Sequence, residues 1–163
     1  MTSTPVTPNA TRIVSPLAGT VVPLADVPDP VFSSQMVGAG VAVRPARPTE
    51  HASGMVDVHA PVSGRILKLH PHAFVILTDE KLGVLVHVGI DTVKMQGEGF
   101  ELVAAEKNTV RTGDVVVRYD PAAVAAAGYD DVCPVILMDT AADSLETPSV
   151  GTSVRVGDTL YTA

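Results

Sequence analysis

The chain has 163 residues, 46% of them apolar, enough to bury one core, so a single domain is expected. Its net charge of −7 argues against nucleic acid and anionic membrane surfaces as partners, and suits a partner with a basic contact face. The single cysteine, Cys133, excludes an intramolecular disulfide framework, and no apolar stretch approaches the ~18 residues of a spanning helix.

In chain order, Met1 to Asn9 is polar and broken by Pro5 and Pro8. It lacks the basic start and apolar centre of a secretory signal, so a cytoplasmic protein is expected. Residues 1–12 are read as a flexible segment ahead of one domain spanning 13–163. Short apolar runs bounded by Gly, Pro and Asp predict strands near 13–23, 36–44, 56–69, 73–79, 83–89, 109–118, 132–138 and 153–162. Arg44 to Gly54, rich in proline, reads as an exposed loop. One short helix is predicted over 120–128: Asp120 caps it, Pro121 suits its first position and Gly128 its end. Cys133 sits in the apolar run Val132 to Leu137 and reads as a small buried hydrophobe rather than a catalytic thiol.

The chain also repeats itself. Ser15-Pro16-Leu17-Ala18-Gly19-Thr20-Val21 resembles Ala60-Pro61-Val62-Ser63-Gly64-Arg65-Ile66, and Val110-Arg111-Thr112-Gly113-Asp114 resembles Val154-Arg155-Val156-Gly157-Asp158. The offsets are 45 and 44 residues. Two matches at nearly equal offsets predict a duplicated, all-β antiparallel sandwich or barrel, a barrel-sandwich hybrid with one or two short helical turns, whose halves share a core.

Five histidines are present. His51 and His59 lie near a loop or turn and read as solvated. His70 and His72 flank Pro71 at a strand entrance, and His87 lies in the apolar run Val84-Leu85-Val86-His87-Val88-Gly89. An imidazole in such a run must find a partner or do a job. Gly89 leaves room beside the ring, and its carbonyl is placed to accept from Nδ1–H, leaving Nε2 as a nucleophile. Asp91 and Thr92 follow at once. Three chemistries fit paired imidazoles: nucleophilic attack at phosphorus, zinc-assisted hydrolysis, and acid–base catalysis. No P-loop or nucleophile elbow is present, which argues against ATP as the direct phosphate source.

At these residues the chain resembles a known family. Ala60-Pro61-Val62-Ser63-Gly64, His72-Ala73-Phe74, His87-Val88-Gly89-Ile90-Asp91-Thr92-Val93 and Gly97-Glu98-Gly99-Phe100 are similar to the glucose-family (type 1) IIA protein, EIIA, of the bacterial phosphoenolpyruvate-dependent sugar phosphotransferase system. Asp29-Pro30-Val31-Phe32 and Val37 to Ala42 fit as well, so the resemblance runs from about residue 14 to the carboxyl end.

The resemblance implies a phosphoryl relay. Phosphate arrives from the carrier protein HPr and leaves for a cysteine on the EIIB domain of a membrane sugar permease, of glucose or N-acetylglucosamine type. His87 becomes phosphorylated at Nε2, His72 hydrogen-bonds the phosphoryl group, and Gly89 and Asp91 belong to the site. Phe32, Met36, Val37, Leu85 and Val88 are candidates for an apolar docking patch around it. A monomer is the simplest expectation, touching the membrane only through the permease. No cofactor is expected beyond the covalent phosphoryl group, although His72 and His87 are suited to adventitious zinc.

Two departures stand out: His70, where many relatives carry a small hydroxyl residue, and a long proline-rich loop over 45–54. His70 is a further candidate for the catalytic set. One rival is a zinc endopeptidase of similar duplicated fold, since His87 with Asp91 and His70 with His72 mimic its spacings, but in reversed order. A biotinyl-type carrier at Lys94 is a second, and Lys94 reads more simply as a solvated charge.

Overall fold

The computed structural model describes residues 11–46 and 55–163. Most of the predicted flexible segment, most of the 44–54 loop and His51 lie outside the described residues.

The predicted apolar runs form strands, but four of them break. The 13–23 run yields β1 (Arg12–Val14) and β2 (Gly19–Pro23), and the 56–69 run yields β4 (Val56–His59) and β5 (Gly64–His70). The 109–118 run yields β9 (Thr109–Val110) and β10 (Val115–Tyr119), and the 153–162 run yields β12 (Ser153–Val154) and β13 (Thr159–Thr162). Each break falls on a repeated Pro-x-x-Gly or Arg-x-Gly-Asp turn. The remaining runs give β3 (Gly38–Pro45), β6 (Ala73–Leu77), β7 (Gly83–His87) and β11 (Cys133–Met138). Strand β8 (Phe100–Leu102) and helix α1 (Pro30–Ser33) were not foreseen, nor were 3-10 turns at Leu24–Asp26 and Thr92–Met95. The predicted helix is α2 (Pro121–Ala126), with Asp120 accepting from the Ala122 and Ala123 amides and Gly128 at a φ of +91° just beyond it.

The strands build an eight-stranded antiparallel sheet in the order β12-β2-β3-β11-β7-β6-β5-β9, a three-stranded sheet β4-β10-β8 and the pair β1-β13. The predicted all-β, antiparallel fold class holds, and among the described residues no sheet closes into a barrel.

The duplication is geometric as well as textual. The large sheet is symmetric about the β11–β7 boundary, with β12, β2 and β3 matching β9, β5 and β6. Val154 pairs with Gly19 as Val110 pairs with Gly64. The Val14 amide donates to the Pro61 carbonyl at 2.9 Å, and the His59 amide donates to the Pro16 carbonyl at 2.8 Å. The Asp114 carboxylate accepts from the Arg111 amide at 2.9 Å, and Asp158 accepts from Arg155 at 2.8 Å. Each half thus hydrogen-bonds its turn to the other, which explains why the repeated residues are turn residues. At Gly19 and Gly64 a Cβ would come within 2.0 Å of the Arg44 carbonyl oxygen and 2.4 Å of the Leu77 carbonyl oxygen, so only glycine lets these strands pair this closely.

The period-2 alternation of side chains sorts the central strands onto two faces. Val41 and Val43, Val84 and Val86, and Val135 and Leu137 enter the main core with Phe74, Ile76 and Tyr119. Ala42 and Ile136 point the other way, into a smaller cluster with Leu24, Val27, Phe32 and Ile90, against which Leu85 packs. Strand β11 is apolar throughout because both of its faces are covered.

Candidate functional site

His87 is the last residue of β7 and shares the outer face with Leu85, opposite Val84 and Val86. That face carries α1, so the Phe32 ring lies 5.0 Å from the His87 ring, centroid to centroid. Helix α1 starts where it does because Asp29 caps it, accepting from the Val31 amide at 2.9 Å, and Pro30 opens its first turn.

The pairing of β6 with β7 puts Ala73 opposite His87, so the residue just before β6, His72, falls beside it. The Val88 amide donates to the His72 carbonyl at 2.7 Å and fixes that register. The His72 and His87 rings meet edge to face at 5.5 Å. His70, at the end of β5, stacks on His72 at 5.5 Å with ring planes 19° apart. The structure therefore brings all three predicted imidazoles together, and His59 stays apart with its ring near the Pro16 carbonyl.

His87 Nδ1 lies 2.5 Å from the Gly89 carbonyl oxygen. A carbonyl can only accept, so Nδ1 carries the proton and Nε2 keeps its lone pair. Gly89 holds a φ of +78°, and a Cβ there would stand 2.5 Å from Thr92 Cγ2 and 3.0 Å from the Asp130 carbonyl oxygen. Both facts require glycine. Thr92 closes the loop by donating to the Val88 carbonyl at 2.7 Å. Asp91 is exposed, in the left-handed region at φ +61°, at the start of the 3-10 turn.

Burial depresses the His87 pKa; the Gly89 hydrogen bond and the charges of Asp29 and Asp91 push it back part of the way. His72 is also depressed, first by burial and then by the positive charge that His87 and His70 acquire on protonation. Both rings are thus biased towards the neutral form. Asp29 is a site residue that the histidine pattern missed. Its Asp-Pro dipeptide is a helix-start signal that would have found α1.

The docking patch needs one correction. Val88 is fully buried in the main core, because it faces inward like Val86. Phe32, 7% exposed, forms a wall against His87, and Val37 and Leu85 are half-buried behind it. The outermost apolar groups here are Met36, 78% exposed, and Val31, 44% exposed. Cys133 is a core residue, its thiol pushed up to about 12 by burial. Among the described residues no group of three or more His, Cys, Asp or Glu is arranged to hold a metal ion. No helix among them is long and apolar enough to cross a membrane.

Comparison with known proteins identifies the family and the fold. Residues 11–142 match the family model for the phosphoenolpyruvate-dependent sugar phosphotransferase system, EIIA 1. A solved structure of glucose permease IIA from Mycoplasma capricolum superposes with a TM-score of 0.81 at 33% sequence identity, covering 94% of this chain and 96% of that one. With the match spanning most of its length and the fold shared throughout, the chain belongs to the EIIA 1 family of the phosphoenolpyruvate-dependent sugar phosphotransferase system.

Proposed function

We propose that His87 is the phosphoryl-carrying residue of a protein-to-protein relay. Membership of the family makes the chain a phosphotransferase component; the donor, the acceptor and the residues are our reading. The observation that carries it is the hydrogen bond from His87 Nδ1 to the Gly89 carbonyl, which leaves Nε2 nucleophilic beside His72.

The Nε2 lone pair attacks the phosphorus of phosphohistidine on HPr. A new N–P bond forms, the donor N–P bond breaks, and its electron pair returns to the carrier imidazole. In the second step a thiolate of EIIB attacks the same phosphorus, and the electron pair of the breaking N–P bond returns to His87 Nε2. Charge spreads over three phosphoryl oxygens in each transition state. His72, edge-on to His87, is placed to donate to one of them, and His70, stacked behind, keeps His72 near neutrality. No resident metal enters either step. Met36 and Val31 supply the exposed apolar contact, with Asp29 and Asp91 facing a basic partner rim. A cytoplasmic site of action, as a monomer meeting the membrane only at the permease, follows from this role.

The test is reconstitution with phosphoenolpyruvate, enzyme I, HPr and EIIB. His87→Gln is expected to accept no phosphate. His72→Gln is expected still to accept it, more slowly, and to pass it to EIIB about 100-fold more slowly, the cost of one transition-state donor. Normal acceptance by His87→Gln would reject the proposal.

A further inference from the structure

The peptide unit that orients His87 is itself held from behind, by residues far from the histidines in sequence. The Gly89 carbonyl accepts from His87 Nδ1, and the amide on the other side of the same peptide bond, Ile90 N–H, donates to the Asp130 carbonyl at 2.9 Å. Ile90 and Asp130 form an isolated antiparallel bridge, the only strand-like contact this loop makes outside the named strands among the described residues. The Asp130 side chain folds back on its own backbone: Oδ1 accepts from the Val132 amide at 2.9 Å. The same oxygen takes Arg44 Nη1 at 2.9 Å, and that nitrogen also meets Asp131 Oδ1 at 3.1 Å. Arg44 belongs to β3 and lies 86 residues from Asp130.

We infer that Arg44 and Asp130 are positioning residues for His87, acting through the Gly89–Ile90 peptide to hold the imidazole proton on Nδ1 and keep Nε2 unprotonated. The inference rests on the relay reading for its functional meaning. Its physical content is the juxtaposition of the ion pair, the Asp130 turn and the Ile90 bridge.

The mechanism is polarisation along one amide. Resonance couples the carbonyl and the N–H of a peptide bond, so donation by Ile90 N–H makes the Gly89 oxygen a stronger acceptor. That oxygen holds the His87 proton. The Asp130 carbonyl can serve Ile90 only in the backbone conformation its own side chain sets, and Arg44 clamps that side chain. Asp131 is buried and its backbone carbonyl accepts from the Tyr119 hydroxyl at 2.9 Å, so the far end of the brace is anchored in the core. Arg44 and Asp130 are part-exposed, with side chains 45% and 27% accessible, so they can be replaced without hollowing the core.

The experiment compares wild type with Arg44→Gln, Arg44→Lys and Asp130→Ala at a pH where the imidazole is neutral. Three quantities are read: the His87 tautomer from nitrogen-15 NMR, the exchange rate of the Ile90 amide, and the rate of phosphoryl acceptance from phospho-HPr. Arg44→Gln is expected to speed Ile90 exchange about five-fold and to raise the population of the Nε2–H tautomer. Acceptance is expected to fall about three-fold. Asp130→Ala should do more on every count, and Arg44→Lys, which keeps the charge, should recover most of the wild-type tautomer. Should Asp130→Ala fail to fold, the half-exposed Arg44 variants still decide the matter. An unchanged His87 tautomer and acceptance rate in the Arg44→Gln variant would overturn the inference, even if its melting temperature dropped, because the brace would then be structural only. A tautomer that responds in a protein that accepts no phosphate would uphold the positioning role and reject the relay.

Discussion

Neutral imidazole attacks phosphorus, and at His87 the dominant influence, burial, holds the pKa below its usual 6.5. The acid limb of phosphoryl acceptance is therefore expected to have its midpoint below that value, measured as initial rate against pH with phospho-HPr in excess; a midpoint above it contradicts the account. His70 contributes to the lowering of His72, so His70→Ala should move the midpoint of the forward step, transfer to EIIB, to higher pH. At Gly89 an alanine methyl would press on Thr92 and the Asp130 carbonyl in a backbone region that disfavours it. We expect Gly89→Ala to cost about 2 kcal/mol in chemical denaturation and to slow acceptance by at least as much as His87 misorientation demands. His87 and Gly89 were legible because they sit in one local signature, and His72 because a second short motif, His72-Ala73-Phe74, carries it. Asp29, Arg44 and Asp130 were not, since their roles depend on register between strands and on chain segments as much as 86 residues apart.

Among the elements, α1 is the smallest with a functional consequence. Only four residues long, it depends on its Asp29 cap and on burial of Phe32 under the large sheet. Asp29→Ala is expected to cost about 1 kcal/mol of stability. It should also lower the His87 pKa further by removing a favourable charge, which a histidine titration by NMR would read. The strand breaks teach why boundaries were harder to read than strands. Ser15 to Ala18 and Pro61 to Ser63 are as apolar as the strands they interrupt, because Leu17 and Val62 are themselves buried in the core. Pattern alone merges such a turn with its flanks; the Pro-x-x-Gly spacing was the better signal. β8 escaped notice because all three of its residues are partly or fully exposed and carry no burial alternation.

For the molecule as a whole, the depressed imidazoles make stability depend on pH with a definite sign. A histidine whose folded pKa lies below its unfolded value leaves the native state with fewer bound protons. Its contribution is complete above about pH 6.5 and is lost as pH falls through the lower folded value. The urea midpoint of wild type should thus fall on acidification below about pH 6.5 more steeply than that of the His87→Gln variant; identical slopes would show that His87 is not desolvated. The duplication was legible from two turn motifs repeated at nearly equal offsets. The matched hydrogen bonds Val14 to Pro61 and His59 to Pro16 show its cause, each half closing the turn of the other. The histidine site has no counterpart in the other half: symmetry sets Ile136 where His87 stands and Ala39 where His72 stands. The duplication supplies the frame, and a few residues on one side of it supply the chemistry.

The most direct measurement is nitrogen-15 and phosphorus-31 NMR of the protein after phosphorylation by phosphoenolpyruvate, enzyme I and HPr. The account expects a single phosphohistidine, at His87, with phosphorus bonded to Nε2 and the Nδ1 proton retained on the Gly89 carbonyl. Phosphorus on Nδ1 of His87, or on His72 or His70, would contradict it.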